Sequence, residues 1–383
     1  MPLVLNEDQE MLRESAHGFV QDRSPVSKLR ELRERDVPER FDRALWSEMA
    51  EMGFAGVLVP EAQGGAAFGF VGAGVIAEEM GRSLAASPFL STAVMAATAL
   101  GQLGTEEQKD RHLPGIASGQ SVFAVAVDEG RKHAPSRIAA TAKRSGNGFE
   151  LSGSKTFVAD GLAADRLIVA ARTAGAEDEP DGITLFVVDA RADGVNAERM
   201  ATVDERGHAR LRLDGVQVDG DAVLGEVDGG YQGLERVLNG GRAVLSAEIT
   251  GAADAAFAMT MDYLKERKQF GVPIGSFQAL QHRAAHLLTE LEMAKAATLQ
   301  ALQAMDEDLS GEGDEAGPAV SLAKAKVGQV AKLATQEAIQ MHGGIGMTDE
   351  YDVGFYLKRV RVAQEMLGDP DFHQDRLARV LGY

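Results

Sequence analysis

The hydrophobic pattern of this chain changes period twice. Up to about residue 118 apolar residues recur at helical spacing. From there to about 228 they fall in short alternating runs, and beyond 229 helical spacing returns. A segment written in one period does not settle into the other structure. The pattern therefore predicts an α+β chain in three parts: a helical domain over 1–118, a β-barrel or sandwich over 119–228, and a helical bundle of four-helix type over 229–383. In the first part Leu5, Met11, Leu12 and Phe19 share a face behind a cap at Asn6 or Asp8. Leu45, Trp46 and Met49 share another over 42–52, which stops at Gly53. Further helices are expected over 71–82, 89–103 and 105–118. The middle part predicts strands at 121–127, 138–142, 149–158, 166–171, 183–188 and 209–218, with a turn at Ser145-Gly146-Asn147-Gly148. In the third part, long helices are expected over 234–268 and 277–304 and from Pro318 to His342. An acidic linker is expected over 306–317, and two shorter helices after Thr348 and Pro370.

Charge and composition then exclude whole classes of function. With 39 basic and 58 acidic residues the net charge is −19 and the pI about 4.9. Such a surface repels phosphate backbones and anionic lipid, so neither nucleic acid nor membrane is an expected partner. The 383 residues include no cysteine, which removes disulfides, thiol nucleophiles and Cys-bound metals or clusters. No run of about 18 apolar residues occurs, and the acidic start lacks the pattern of a secretory signal. The expected location is the cytoplasm.

Two short motifs carry little. Gly72-Ala73-Gly74-Val75-Ile76-Ala77 spells G-x-G-x-x-A, but Gly64-Gly65-Ala66-Ala67-Phe68-Gly69 before it is no strand, so close helix packing is the expected role. His282, His286 and Glu290 share one helical face, yet no fourth ligand accompanies them. A solvated or interface face is expected and no metal site. Neither a G-x-S-x-G elbow nor a P-loop is present.

Longer patterns say more. Arg267-Lys-Gln-Phe270-Gly271-Val-Pro273 leads into Phe277-Gln278-Ala-Leu-Gln281, and Gln340-Met-His342-Gly343-Gly344-Ile-Gly346 follows about 60 residues on. Upstream stand Trp46-Ser-Glu-Met49-Ala-Glu-Met-Gly53, Pro60-Glu61-Ala-Gln-Gly64-Gly65 and Gly148-Phe-Glu-Leu151-Ser-Gly153-Ser-Lys155. In this order and spacing the chain resembles the acyl-CoA dehydrogenase family over nearly its whole length. The resemblance implies FAD as cofactor, an acyl-CoA thioester as substrate, a tetramer and an electron-transfer flavoprotein as acceptor. It assigns contacts to a neighbouring subunit's FAD to Arg267, Phe270, Gln278, Gln340, Gly343 and Gly344. A guanidinium suits a pyrophosphate, and paired glycines allow close backbone approach.

Elsewhere the chain departs from the family. Where the family shows Thr-Glu-Pro-x-x-Gly-Ser-Asp, this chain has Val127-Asp128-Glu129-Gly130-Arg131-Lys132-His133-Ala134. Where it shows Trp-x-Thr/Ser against the flavin, this chain has Phe157-Val158-Ala159. The catalytic base, placed by the family before a Gly near the C-terminus or before an Arg on the first bundle helix, falls at Leu367 or at Gly241. Neither accepts a proton, and Glu365 and Glu248 are weak substitutes. The expectation is a subunit of a heteromeric enzyme, similar to the small subunits of pimeloyl-CoA dehydrogenase type, that dehydrogenates an acyl-CoA with a base supplied by its partner. The alternatives are a homotetramer with a displaced base or a cofactor-free scaffold.

Overall fold

A computed structural model of the chain describes residues 3–35, 37–308 and 315–383. Helices α1 (Glu7–Arg23), α2 (Val26–Arg35), α3 (Arg43–Glu51), α4 (Gly69–Ser83), α5 (Ala97–Leu103) and α6 (Glu106–Ala117) form the first part. Asn6 and Gln9 cap α1 reciprocally, each bond 2.9 Å, and Thr105 and Gln108 do the same for α6. The Gln108 amide also donates to the carbonyls of Asp221 and Val223, which ties α6 to the strands beyond.

The middle part is one hydrogen-bonded sheet of eight strands. These are β1 (Phe123–Ala126), β2 (Thr141–Ser145), β3 (Gly148–Val158), β4 (Arg166–Arg172), β5 (Ile183–Asp189), β6 (Val195–Arg199), β7 (Ala209–Val218) and β8 (Val223–Leu224). Their order is β6-β7-β3-β2-β4-β5-β8, and β1 pairs parallel to β4. One face packs a core of its own that includes Leu151, Leu167, Val169, Phe186 and Leu211. Phe123, Ile168 and Leu185 turn instead toward the helices. Between Lys155 and Val158 the register with β7 slips, and Phe157 takes φ 55°. A bulge of this kind re-aims side chains out of the ladder, and here Thr156 and Phe157 face the cleft described below.

Three long helices follow: α7 (Gly230–Glu266), α8 (Gln278–Glu307) and α9 (Gly317–His342). The shorter α10 (Val353–Ala363) packs on α7 and α9, and α11 (Pro370–Val380) on α9. The bundle shares its core with the first part, because α4 lies along α7. A Cβ on Gly81 would sit 2.0 Å from the Glu248 carbonyl oxygen, and one on Gly251 1.9 Å from that of Glu78. Only glycine permits this crossing. Gly74 likewise faces Leu302, in keeping with a packing role for the G-x-G-x-x-A stretch.

Several expectations are corrected. The strand expected at 138–142 begins at Thr141. The stretch expected as one α-helix over 89–103 opens as a π-helix, Phe89–Ala96, before α5. Helix α2 and strands β6 and β8 were not expected, nor was the two-residue hairpin Lys268–Gln269 with Val272–Pro273, β9 and β10, inside the bundle region. Asp306 belongs to α8 rather than to a linker. Its carboxylate accepts from the amides of Phe70 at 2.5 Å and Val71 at 3.1 Å, at the start of α4. Residues 309–314 of the expected linker lie outside the described residues. Among those described, no helix is long and apolar enough to cross a membrane.

Candidate active site

Gly241 on α7 and Leu367, in the loop between α10 and α11, meet. A Cβ on Gly241 would stand 2.9 Å from Leu367 Cδ1 and 3.0 Å from the Met95 side chain. The two places that the resemblance assigns to the base thus converge on one spot, and both are apolar.

The loop keeps its shape through its main chain. Leu367 has φ 58° and Gly368 φ 106°, a region a leucine occupies only at a cost of about 1–2 kcal/mol. The Leu367 carbonyl accepts from Arg242 Nε at 3.0 Å and His373 Nε2 at 3.1 Å. The Lys324 ammonium donates to the carbonyls of Gln364 and Gly368, both at 3.0 Å. Lys324 is wholly buried, and burial, aided by Arg242, pushes its ammonium down to about 7. Burial also holds His373 well below the usual imidazole range, so it is neutral.

Neither substitute carboxylate stands at this spot. Burial pushes the Glu248 carboxyl up, but Arg359, at 2.8 Å, and Arg206 outweigh it and hold it below the usual range. An acid so stabilised as its anion is a poor proton acceptor. Glu365 is partly exposed and paired with Arg361 on an outer cleft. Asp160, which sequence reasoning passed over, is different. It is half-buried, accepts from Ser91 Oγ at 2.7 Å, and desolvation pushes its carboxyl up to about 6.

Three cavities surround the convergence. One of about 30 Å³ contains Leu367, Met95, Met366 and Val127. A second, also about 30 Å³, holds Asp160, Glu248, Arg206 and Arg359 behind Met366 and Ala159. The outer cleft, about 640 Å³, is lined by Asp128, Arg131, Lys132, His133, Thr156, Phe157, Arg210 and Phe372, among others. Space for one water differs greatly from space for a drug-sized ligand, so the inner cavities are closed to an acyl chain as they stand.

The residues expected on this chain's own flavin side are unevenly placed. Phe157 reaches the cleft and stacks on His208, centroids 4.6 Å apart and planes 16° apart. Burial pushes His208 down to about 4. Val158 points into the β core, and Ala159 lines the inner cavities only. Thr156, three residues before Ala159, carries a hydroxyl in the cleft wall. Lys155, fully buried, is held by Glu129 at 2.6 Å and the Val127 carbonyl at 3.0 Å.

The other candidate residues lie on an open face. Arg267 ends α7, Phe270 is 92% exposed at the hairpin tip, and Gln278 starts α8. Gln340, Gly343 and Gly344 close α9, all exposed, and a Cβ on either glycine would meet nothing within 4 Å. Tyr263, one turn before Arg267, stacks on His342 at 4.4 Å, so the two segments are neighbours. Open backbone beside the exposed Arg267 guanidinium fits a pyrophosphate-bearing group such as FAD. His282 and His286 are exposed, and Glu290 pairs with Lys326. His133, Thr156, Asp160, Lys324 and Phe372 escaped sequence reasoning, because each depends on partners far along the chain.

Family models describe the same division. Those of the acyl-CoA dehydrogenase N-terminal, middle and C-terminal domains match residues 6–120, 123–216 and 228–382. The chain is 31% identical to acyl-CoA dehydrogenase FadE12 of Mycobacterium tuberculosis, over 94% of this chain and 92% of the relative. Among solved structures, a steroid acyl-CoA dehydrogenase, Tcur3481-Tcur3483, is 33% identical with TM-score 0.87, covering 98% of both chains. The ChsE4-ChsE5 complex of M. tuberculosis is 27% identical with TM-score 0.88, covering 100% of this chain and 99% of the other. The chain belongs to the acyl-CoA dehydrogenase family of FAD-dependent oxidoreductases.

Proposed function

We propose that this chain is one subunit of a heteromeric acyl-CoA dehydrogenase and completes the FAD site of a homologous neighbour that supplies the base. The observation that supports the reading is the meeting of Gly241 and Leu367, the two positions assigned by resemblance to a base that α-proton removal needs within about 3 Å, neither of which can accept a proton. The open face with Arg267, Phe270 and the two glycines favours service to another subunit's cofactor. The related ChsE4-ChsE5 structure is itself a complex, which agrees with such an assembly. FAD, when bound, supplies the hydride acceptor, and an electron-transfer flavoprotein is the proposed recipient of the electrons.

The test is co-expression with a homologue that has Glu at the place of Leu367. One FAD for each pair of chains is expected. Arg267→Ala should weaken flavin binding by about 1.5–3 kcal/mol, roughly tenfold or more, without changing assembly. Failure to associate, or flavin content indifferent to Arg267, would refute the reading.

A second reading rests on Asp160. A half-buried carboxyl near 6 has the character of a general base, as a homotetramer with a displaced base requires. Turnover by the lone chain, abolished by Asp160→Asn, would favour it.

A further inference from the structure

The outer cleft and the inner cavity at Leu367 share four wall residues, Asp128, His133, Thr156 and Phe157. A thioester whose reacting carbon lay beside Leu367 would have to cross that wall, since its coenzyme A portion fills far more than the roughly 30 Å³ inside. We infer that His133 is the bolt of that wall: bridging the β domain to α7, it shuts this chain's own inner cavity to acyl-CoA.

The ring is fastened on three sides. Nδ1 lies 2.9 Å from both oxygens of Asp128, on its own loop. Nε2 lies 2.9 Å from Arg242 Nη2, on α7. Arg242 has only N–H donors, so Nε2 accepts and the ring proton sits on Nδ1, donated to Asp128. The Phe372 ring on α11 backs the imidazole edge-on, centroids 5.0 Å apart.

The far end of the bridge cannot swing aside. Arg242 is fully buried, and its other nitrogens hold the Leu367 carbonyl at 3.0 Å, Glu235 at 2.9 Å and Asn239 at 2.8 Å. Buried, satisfied networks of this kind are rigid. Among the other wall residues, Phe157 is fixed by its stack on His208, and the Thr156 amide by its 2.7 Å bond to the Asp128 carbonyl. Of the four, His133 is the one with a side-chain hydrogen bond to α7 among the described residues, so its side chain decides whether the passage is shut.

This inference rests on the reading that the chain's own site is idle, but it is tested by other means. Titration calorimetry of the full chain with acetyl-CoA reads binding without turnover and without flavin. Wild type is expected to show no saturable uptake, and His133→Gln, which keeps an acceptor for Arg242, should behave alike. His133→Ser is expected to bind about one acetyl-CoA per chain, with affinity at least tenfold above wild type. Phe372→Ala, which removes the backing ring, should move in the same direction. Saturable binding by wild type would overturn the inference. So would absence of binding in both opened variants when their circular dichroism and cooperative melting show them folded, or equal binding by His133→Gln and His133→Ser. None of these outcomes bears on flavin content in the complex, which judges the partner reading separately.

Discussion

At Asp160 burial opposes bonding. Burial pushes its carboxyl from 3.8 up to about 6, against the Ser91 hydroxyl, Arg206 and Arg359, which all favour the anion. The folded chain therefore takes up this proton at higher pH than the unfolded chain does. The group costs stability above about pH 6, and the cost is relieved as pH falls from 6 toward 3.8. The difference of about two units corresponds to roughly 3 kcal/mol. Asp160→Asn is expected to raise stability at pH 8 by an amount of this order and to leave it nearly unchanged at pH 4, measured by urea unfolding at both. An equal effect at the two pH values would show that the carboxyl ionises freely. Nothing marks Asp160 among 58 acidic residues in the sequence; its character comes from the helices that bury it.

Helices α4 and α7 touch backbone to backbone at Gly81 and Gly251. Gly251→Ala places a methyl carbon 1.9 Å from the Glu78 carbonyl oxygen, and the helices must part. A loss of about 1–3 kcal/mol is expected in chemical denaturation; a neutral effect would mean that the crossing is slack. Long elements such as α7, α8 and α9 were legible because period and length reinforce one another. Helix α2 was not, since it buries no residue completely and its sequence, VSKLRELRER, carries few apolar positions to count. Strand β6 is an edge strand and mostly exposed, so it shows no alternation. The π-helix over Phe89–Ala96 is buried all round, and such a run has no period to read. The open-face residues are assigned by family resemblance alone. The bridge from His133 to Arg242 was not legible, because it joins residues 109 positions apart.

Over the whole molecule, large apolar side chains stand exposed on the C-terminal helical region: Phe270 at 92%, Met347 at 79%, Met293 at 54% and Leu288 at 48%. Exposed large apolar side chains are candidates for association surfaces. The chain is expected to form oligomers, and Phe270→Ser combined with Met347→Ser to shift light-scattering mass toward smaller species. A wild-type monomer at micromolar concentration would refute this. The Leu367 loop has a different kind of consequence. Arg242, His373 and Lys324 hold it only by carbonyl oxygens, which every residue type possesses. Its hydrogen bonds are therefore independent of what residue 367 is, although its left-handed backbone is not. On the proposed partner reading, an acid at that place could be exchanged for leucine without the loss of any hydrogen bond that holds the loop. The same independence leaves the way back open, because an inherited exchange at one position would meet a frame already built to receive it.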